Sequence, residues 1–317
     1  MTPFVGYIRV IVLCVLLSIS SNRLFRQWVC LEINMLCFIP ILVRGLREQA
    51  ILTGVKYFIS QRLASLVFII RMLLTNRLIY VDAFIRLALI FKLGVPPFHS
   101  WLIRVLIIMD YSRIFLLFSI QKFIPFFIIS QIIFIELWLW VLILRLLGVV
   151  LIILNNMGSF YLLLILSGAL NTIWILRRVS KGGSWVGFLL TYRVVLGALI
   201  FSLTKTMVIK VNDVTRLDWR SASIIRFHLL NLGGLPPLVG FLMKLKLLKP
   251  LTIINLSLSV VLVIGALILL YLYVVYCYQV FSLPKKRETN FYEWSLASLL
   301  LVRGLSVVGS AVFLWVL

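Results

Sequence analysis

The sequence predicts an all-α, polytopic membrane protein of about eleven transmembrane helices, and three observations carry that expectation. Hydrophobic residues make up 63% of the 317 and charged residues only 13%, with a mean hydropathy of +1.16, far outside the composition of soluble domains. Apolar stretches of roughly 18 to 25 residues, the length at which a helix crosses a hydrocarbon core, recur along nearly the whole chain between short polar breaks. They are continuous rather than alternating over shorter segments, which points to helices and not to a barrel.

In chain order, breaks at charges, Gly, Pro and Asn place spans near residues 3–20, 27–44, 51–74, 80–107, 112–129, 131–154, 159–176, 186–209, 222–248, 251–282 and 295–316. The first span has no polar presequence and no small-residue cleavage site, so it reads as a retained transmembrane helix. The longest polar connections, residues 210–221 and 283–294, leave almost nothing for an extramembrane domain. Lys and Arg occur in both sets of alternate loops, so the charge rule does not choose an orientation.

The fourth and ninth spans share a feature. Gly94, Pro96 and Pro97 interrupt one; Gly233, Gly234, Pro236 and Pro237 interrupt the other. Proline removes a backbone donor and clashes with the preceding turn, and glycine opens conformations closed to other residues, so each span is expected to split into two half-helices. Free backbone ends at membrane depth are tolerated only against protein or a wet cavity. Paired broken helices at corresponding positions of an internal repeat build ion paths in transporters. Lys92 precedes its proline pair and Lys244 follows its own, an order compatible with inverted repeats.

Composition and motifs also exclude. The net charge of +22 is scattered among apolar segments rather than gathered into an aromatic-interleaved soluble patch, so nucleic acid is not an expected partner. The basic loops 177–181 and 284–287 suit anionic lipids such as cardiolipin, or acidic neighbouring subunits. Cys14, Cys30, Cys37 and Cys277 stand alone without CxxC spacing, so neither an iron–sulfur cluster nor a zinc site is expected in the chain, and no metal ligands are assigned. Glycine-rich phosphate loops, zinc-hydrolase and esterase motifs are missing as well.

Titratable residues inside the spans carry the chemistry. Glu32 and Lys122 lie well within apolar sequence, where a charge is costly unless paired, neutralised or hydrated. Burial disfavours the charged form of either group and an approaching opposite charge restores it, so such groups can pass protons at neutral pH. Glu32, Lys92, Lys122 and Lys244 can thus form a chain of stations, with His99 able to carry a proton between them. The alternatives are kinked helices with snorkelling lysines, a structural ion pair, and a histidine that holds the broken helix together. Arg62, Arg71, Arg145, Arg193 and His228 are expected to be structural or lipid-facing.

The stretches LEINMLCFIP (31–40), KYFISQ (56–61), KLGVPPFHSW (92–101), IQKFIP (120–125) and LGGLPPLVGF followed by Lys244 (232–244) occur in an order that resembles the antiporter-like subunit 2 of respiratory NADH:ubiquinone oxidoreductase, complex I. The resemblance implies proton-pathway roles for Glu32, Lys92, Lys122 and Lys244. It implies a subunit of a proton-translocating enzyme in the mitochondrial inner membrane, forming one antiporter-like domain over residues 1–317 in the short form that lacks three N-terminal helices. Other membrane subunits, including antiporter-like neighbours, are the implied partners, and NADH, FMN, iron–sulfur clusters and ubiquinone belong to partner subunits. A free-standing cation/proton antiporter and a structural subunit without proton conduction are the competing readings; the scarcity of acidic residues, which hard cations need as ligands, argues against the former. Two departures stand out: Arg104 replaces an acidic residue of the family's pattern, and residues 158–170 lack the basic residue the family tends to carry ahead of its serine-rich helix.

Overall fold

The computed structural model describes residues 2–44, 48–73, 81–95, 98–132, 160–180, 185–208, 213, 217–236, 238–252 and 256–281. Among them the chain forms helices α1 (Thr2–Ser20), α2 (Leu24–Val43), α3 (Glu48–Leu73), α4 (Val81–Leu93), α5 (Ser100–Leu106), α6 (Tyr111–Ser119), α7 (Phe123–Gln131), α8 (Phe160–Ser180), α9 (Val186–Thr206), α10 (Trp219–Gly233), α11 (Val239–Thr252) and α12 (Leu256–Phe281). Five stretches, Leu24–Val43, Tyr111–Gln131, Phe160–Val179, Val186–Thr206 and Ser259–Cys277, are long and apolar enough to cross a membrane. The chain is a multi-pass membrane protein. The spans expected near 131–154 and 295–316 lie almost wholly outside the described residues.

The helices fall into two compact units, one comprising Met1–Val149 with Asn171–Ser184 and the other Val150–Leu170 with Trp185–Leu317. In the first, α2 packs between α1 and α3, α3 packs on α4 and α5, and α7 lies against α1, α2 and α4. Phe38, Phe68, Ile85, Leu89, Phe118 and Phe126 fill its interior.

Helix α3 has the pattern of exposure expected of a helix that faces lipid. Leu52, Val55, Ile59, Leu63, Leu66 and Ile70 recur at three- to four-residue spacing on its exposed face, whereas Thr53, Ser60, Gln61 and Ser65 are buried. That is the reverse of a soluble amphipathic helix: lipid takes the apolar stripe and protein takes the polar one. The buried hydroxyls are satisfied locally, Thr53 donating to the Ala50 carbonyl, Ser60 to Tyr57 and Ser65 to Arg62.

In the second unit α10 packs on α9, α11 and α12, and α11 touches both α9 and α12. Gly233 is the last residue of α10, and a Cβ there would stand 3.0 Å from side-chain atoms of both Leu270 and Tyr273 on α12. Its small size therefore serves close helix packing rather than a backbone bend.

The bends belong to Gly94 and Gly234, with φ of +65° and +85°, the left-handed region that glycine enters without a Cβ penalty. Each sits where a helix ends, and the hydrogen bonds correspond residue for residue. The Val95 N–H donates to the Ile90 carbonyl and the Gly94 N–H to Phe91; the Leu235 N–H donates to Leu230 and the Gly234 N–H to Asn231. Both pairs have the 6→1 and 5→2 pattern of a Schellman C-cap. The following turn is closed in both cases, by Phe98 N–H to the Val95 carbonyl at 2.9 Å and by Leu238 N–H to the Leu235 carbonyl at 2.8 Å. Pro236 is exposed in its turn, and Pro96, Pro97 and Pro237 lie outside the described residues.

The span expected as continuous over 112–129 is interrupted. α6 ends at Ser119 and α7 begins at Phe123. Pro125 supplies the reason, because its ring crowds the carbonyl four residues earlier, that of Gln121, and its nitrogen cannot bond to it. The ladder adapts by lengthening one bond to i−5, Gln121 N–H to the Leu116 carbonyl, and shortening the next to i−3, Phe123 N–H to Ile120. Lys122 sits in this opened turn.

Candidate functional site

In the first unit the site is assembled by helices far apart in sequence. Glu32 on α2 and Lys92 in the last turn of α4 are both buried, with Lys92 Nζ 3.4 Å from Glu32 Oε1. An isolated charge at the centre of a membrane helix costs roughly 2.5–3.5 kcal/mol by insertion measurements, so two lone charges would be a heavy burden on one small bundle. Placed together, each supplies the other's counter-charge. Lys92 gains further from its position, because the last turn of a helix carries the partial negative charge of unpaired carbonyls.

The break beyond Lys92 is held by Trp101, whose indole Nε1–H donates to the Phe91 carbonyl at 3.1 Å. The same ring closes over Gly94, where a Cβ would meet Trp101 Cζ2 at 3.1 Å. Tyr57 packs edge-on against Phe38 with ring centres 5.4 Å apart and stands 6.0 Å from the Trp101 ring. Sequence, turn and aromatic wall together fix where the lysine stands.

Lys92 and Lys122 line one cavity, together with Asn34, Tyr57, Gln61 and Gln121. The space admits a water molecule, and its wall offers several hydrogen-bonding side chains. Gln121 Nε2 donates to Asn34 Oδ1 at 3.1 Å, which ties the opened turn between α6 and α7 to α2. Lys122 is buried, with its ammonium over the Phe118 ring, 4.5 Å from the centroid. Among the described residues its Nζ makes no hydrogen bond, so the ring face is its main electrostatic support. Of the residues expected to form a relay, the first unit thus brings Glu32 to Lys92, and Lys92 and Lys122 to one cavity. His99 stands half-buried at the start of α5 and is not among the cavity-lining residues.

Arg62, one of the basic residues expected to be structural or lipid-facing, also reaches Glu32. Its Nη1 lies 3.1 Å from Glu32 Oε2, on the side of the carboxylate away from Lys92's contact, with its side chain 43% exposed. Asn34, Gln61 and Gln121 were not singled out either. Each lies inside a stretch quoted for the family resemblance, LEINMLCFIP, KYFISQ or IQKFIP, as a lone amide less conspicuous than the charges.

In the second unit Lys244 is buried on α11, and its Nζ donates to the Gly233 carbonyl at 2.6 Å and the Leu232 carbonyl at 3.4 Å. These are carbonyls of the last turn of α10, which have no partner within the helix. Lys92 before its break and Lys244 after its own therefore share one electrostatic setting, the C-terminal end of the first half-helix. Asn231 bridges the second break: its Oδ1 accepts from the Gly240 N–H at 3.0 Å, within the first turn of α11. Gly240 lies so close to the Asn231 backbone carbonyl that no side chain fits there.

Among the described residues no group of three or more His, Cys, Asp and Glu is placed to hold a metal ion. All four cysteines are free. The cavity sets two buried amines among several hydrogen-bonding side chains, an arrangement through which a proton could pass from one to the other.

No protein-family model matches the chain. Comparison with individual proteins is informative. It is 29% identical over 328 residues to NADH-ubiquinone oxidoreductase chain 2 of Anopheles gambiae, covering 94% of this chain and 93% of that one. It is 30% identical over 259 residues to NADH-ubiquinone oxidoreductase chain 2 of Symphalangus syndactylus, covering 75% and 73%. Its fold matches a chain of respiratory complex I from Thermus thermophilus with a TM-score of 0.82 at 20% identity, over all of this chain and 79% of that one. The chain belongs to the NADH-ubiquinone oxidoreductase chain 2 family.

Proposed function

We propose that this chain is a core membrane subunit of respiratory complex I that takes part in proton translocation coupled to electron transfer from NADH to ubiquinone, with Glu32, Lys92, Lys122 and Lys244 as its proton-relay residues. It is a single antiporter-like domain of about eleven spans in the mitochondrial inner membrane, with α4–α5 and α10–α11 as two discontinuous transmembrane helices of an inverted repeat. Other membrane subunits are its partners, antiporter-like neighbours among them, and anionic lipids coat its basic loops. NADH, FMN, iron–sulfur clusters and ubiquinone are handled by other subunits.

The observation that carries the reading is the shared cavity: Lys92, paired with Glu32 at 3.4 Å, and Lys122 line the same polar space. Redox chemistry elsewhere shifts charge near Glu32 and loosens its hold on the Lys92 ammonium. When Lys122 is in its neutral amine form, a proton leaves Lys92 into the cavity, and the N–H bond broken at Lys92 is replaced by one formed at Lys122, which becomes the ammonium over the Phe118 ring. Lys244 is the station of the second unit, its ammonium held by the α10 carbonyls. Moving one such charge against the membrane potential requires about 2.3 kcal/mol per 100 mV, which redox chemistry must supply.

Native electrophoresis of mildly solubilised membranes, with NADH-dehydrogenase staining and mass spectrometry of the band holding this chain, tests the assignment. Co-migration with the NADH-oxidising assembly is the expected result. Migration as a small separate species overturns it in favour of a free-standing antiporter.

A further inference from the structure

The geometry points to Arg62 as a positioning residue that shares Glu32 with Lys92, so that Glu32 stays ionised and anchored while Lys92 gives up its proton. This inference rests on the relay role proposed above for Glu32 and Lys92. The carboxylate has two oxygens and each faces a different cation: Lys92 Nζ at 3.4 Å from Oε1 and Arg62 Nη1 at 3.1 Å from Oε2. The two cations come from different helices, α4 and α3, both of which pack against one another, and α3 also packs on α2, the helix that bears Glu32.

The two cations are not equivalent. Lys92 can lose its proton, whereas a guanidinium is charged at any physiological pH. With Lys92 as sole partner, discharge of the lysine would leave a buried carboxylate with no counter-charge, and the proton would be drawn straight back or onto Glu32 itself. A second, permanent cation removes that trap. Glu32 leans toward Arg62 when Lys92 is neutral and toward both when it is charged.

Arg62 is also built to hold this position. Its guanidinium lies over the Phe58 ring, 5.2 Å from the centroid and one helical turn away, while Ile59, Leu63 and Leu66 beside it on α3 are exposed. A cation on a lipid-facing stripe has a cost. Of the anionic side chains on the described residues, Glu32 is the one ion-paired to it.

The test uses the assembled complex in its native membrane, with Arg62→Gln, Arg62→Lys, Glu32→Gln and the Glu32→Gln/Arg62→Gln double variant. Assembly is read by native electrophoresis and function by NADH:ubiquinone turnover and protons moved per NADH. Arg62→Gln is expected to lower proton-coupled turnover about threefold or more, within the range of coupling between contacting charged groups. Arg62→Lys, which keeps the charge, restores it, and Arg62→Gln causes no further loss once Glu32 is Gln. Should Arg62→Gln not assemble, Arg62→Met, apolar like the surrounding face of α3, takes its place in the same comparison.

Unchanged turnover in Arg62→Gln or Met overturns the inference. So does an equal loss in Arg62→Lys, or an effect that adds in full to that of Glu32→Gln. Normal coupling in Glu32→Gln alone sinks the relay reading itself, whereas impaired Glu32→Gln with normal Arg62→Gln sinks only the role of Arg62.

Discussion

Replacing Gly234 by Ala strikes the second helix break at two points whose costs can be worked separately. At φ +85° the backbone is left-handed, and an L side chain there costs roughly 1–2 kcal/mol. The new Cβ would also stand 3.0 Å from Lys244 Nζ and 3.3 Å from its Cδ, so the lysine must shift by a few tenths of an ångström, which weakens its bond to the Gly233 carbonyl, now 2.6 Å away. A hydrogen bond to a charged group is worth about 1.5–3 kcal/mol, so its weakening brings the total to between about 1 and 5 kcal/mol. Gly187→Ala is the control, since nothing lies within 4 Å of its Cβ position and alanine is favoured over glycine in a helix by up to about 1 kcal/mol. The assay heats the assembled complex and follows loss of NADH:ubiquinone activity. Gly234→Ala should inactivate at a clearly lower temperature than the wild type, and Gly187→Ala should not. Equal midpoints for Gly234→Ala and Gly187→Ala would refute the account of the break.

Other substitutions probe neighbouring parts of the argument. Asn231→Ala removes the acceptor of the buried Gly240 N–H, 3.0 Å away, and is expected to cost about 1–3 kcal/mol, read in the same thermal assay as a shift comparable to that of Gly234→Ala. Arg113→Ala loses two donors to the end of α2, to the Leu42 carbonyl at 3.0 Å and the Arg44 carbonyl at 2.6 Å; being partly exposed, it should cost only about 1 kcal/mol and leave protons moved per NADH unchanged. Gln121→Leu breaks the link to Asn34 at 3.1 Å and places an apolar group on the cavity wall. Proton movement per NADH in sealed vesicles should fall, with assembly retained on native gels.

The two breaks were readable because Gly-x-Pro-Pro is a local signal: the glycine and prolines act on backbone within a few residues, and the C-caps at Gly94 and Gly234 form from the same segment. Helix α3 was readable as an apolar helix but its exposed and buried stripes were not, since in lipid the polar stripe turns inward only when a neighbouring helix offers it a place. The reversed order of Lys92 and Lys244 about their proline pairs has its physical sense only in three dimensions. A side chain several carbons long lets Lys244 reach back to α10, so position after the break and position before it can serve the same helix end.

Pairings across distant helices were the illegible part. Glu32 and Lys92 were each conspicuous as charges in apolar sequence, so their meeting could be anticipated from cost alone. Arg62 was not conspicuous, because a chain with 31 Lys and Arg against 9 Asp and Glu offers far more cations than partners, and nothing local marks the one that α3 turns toward α2. The interruption at residues 120–122 was missed for a different reason: Pro125 is a single proline, which a membrane helix can often accommodate as a mild kink, and the widened turn that holds the buried Lys122 depends on its packing.

The central claim is that Lys92 hands protons into the cavity it shares with Lys122. The direct measurement is protons translocated per NADH oxidised by the assembled complex carrying Lys92→Ala, in sealed vesicles, with native electrophoresis confirming assembly. A marked fall in protons moved per NADH, with the complex intact, is the expected result. Unchanged assembly together with unchanged proton transport would contradict the relay and leave Glu32 and Lys92 as a pair that only holds helices together.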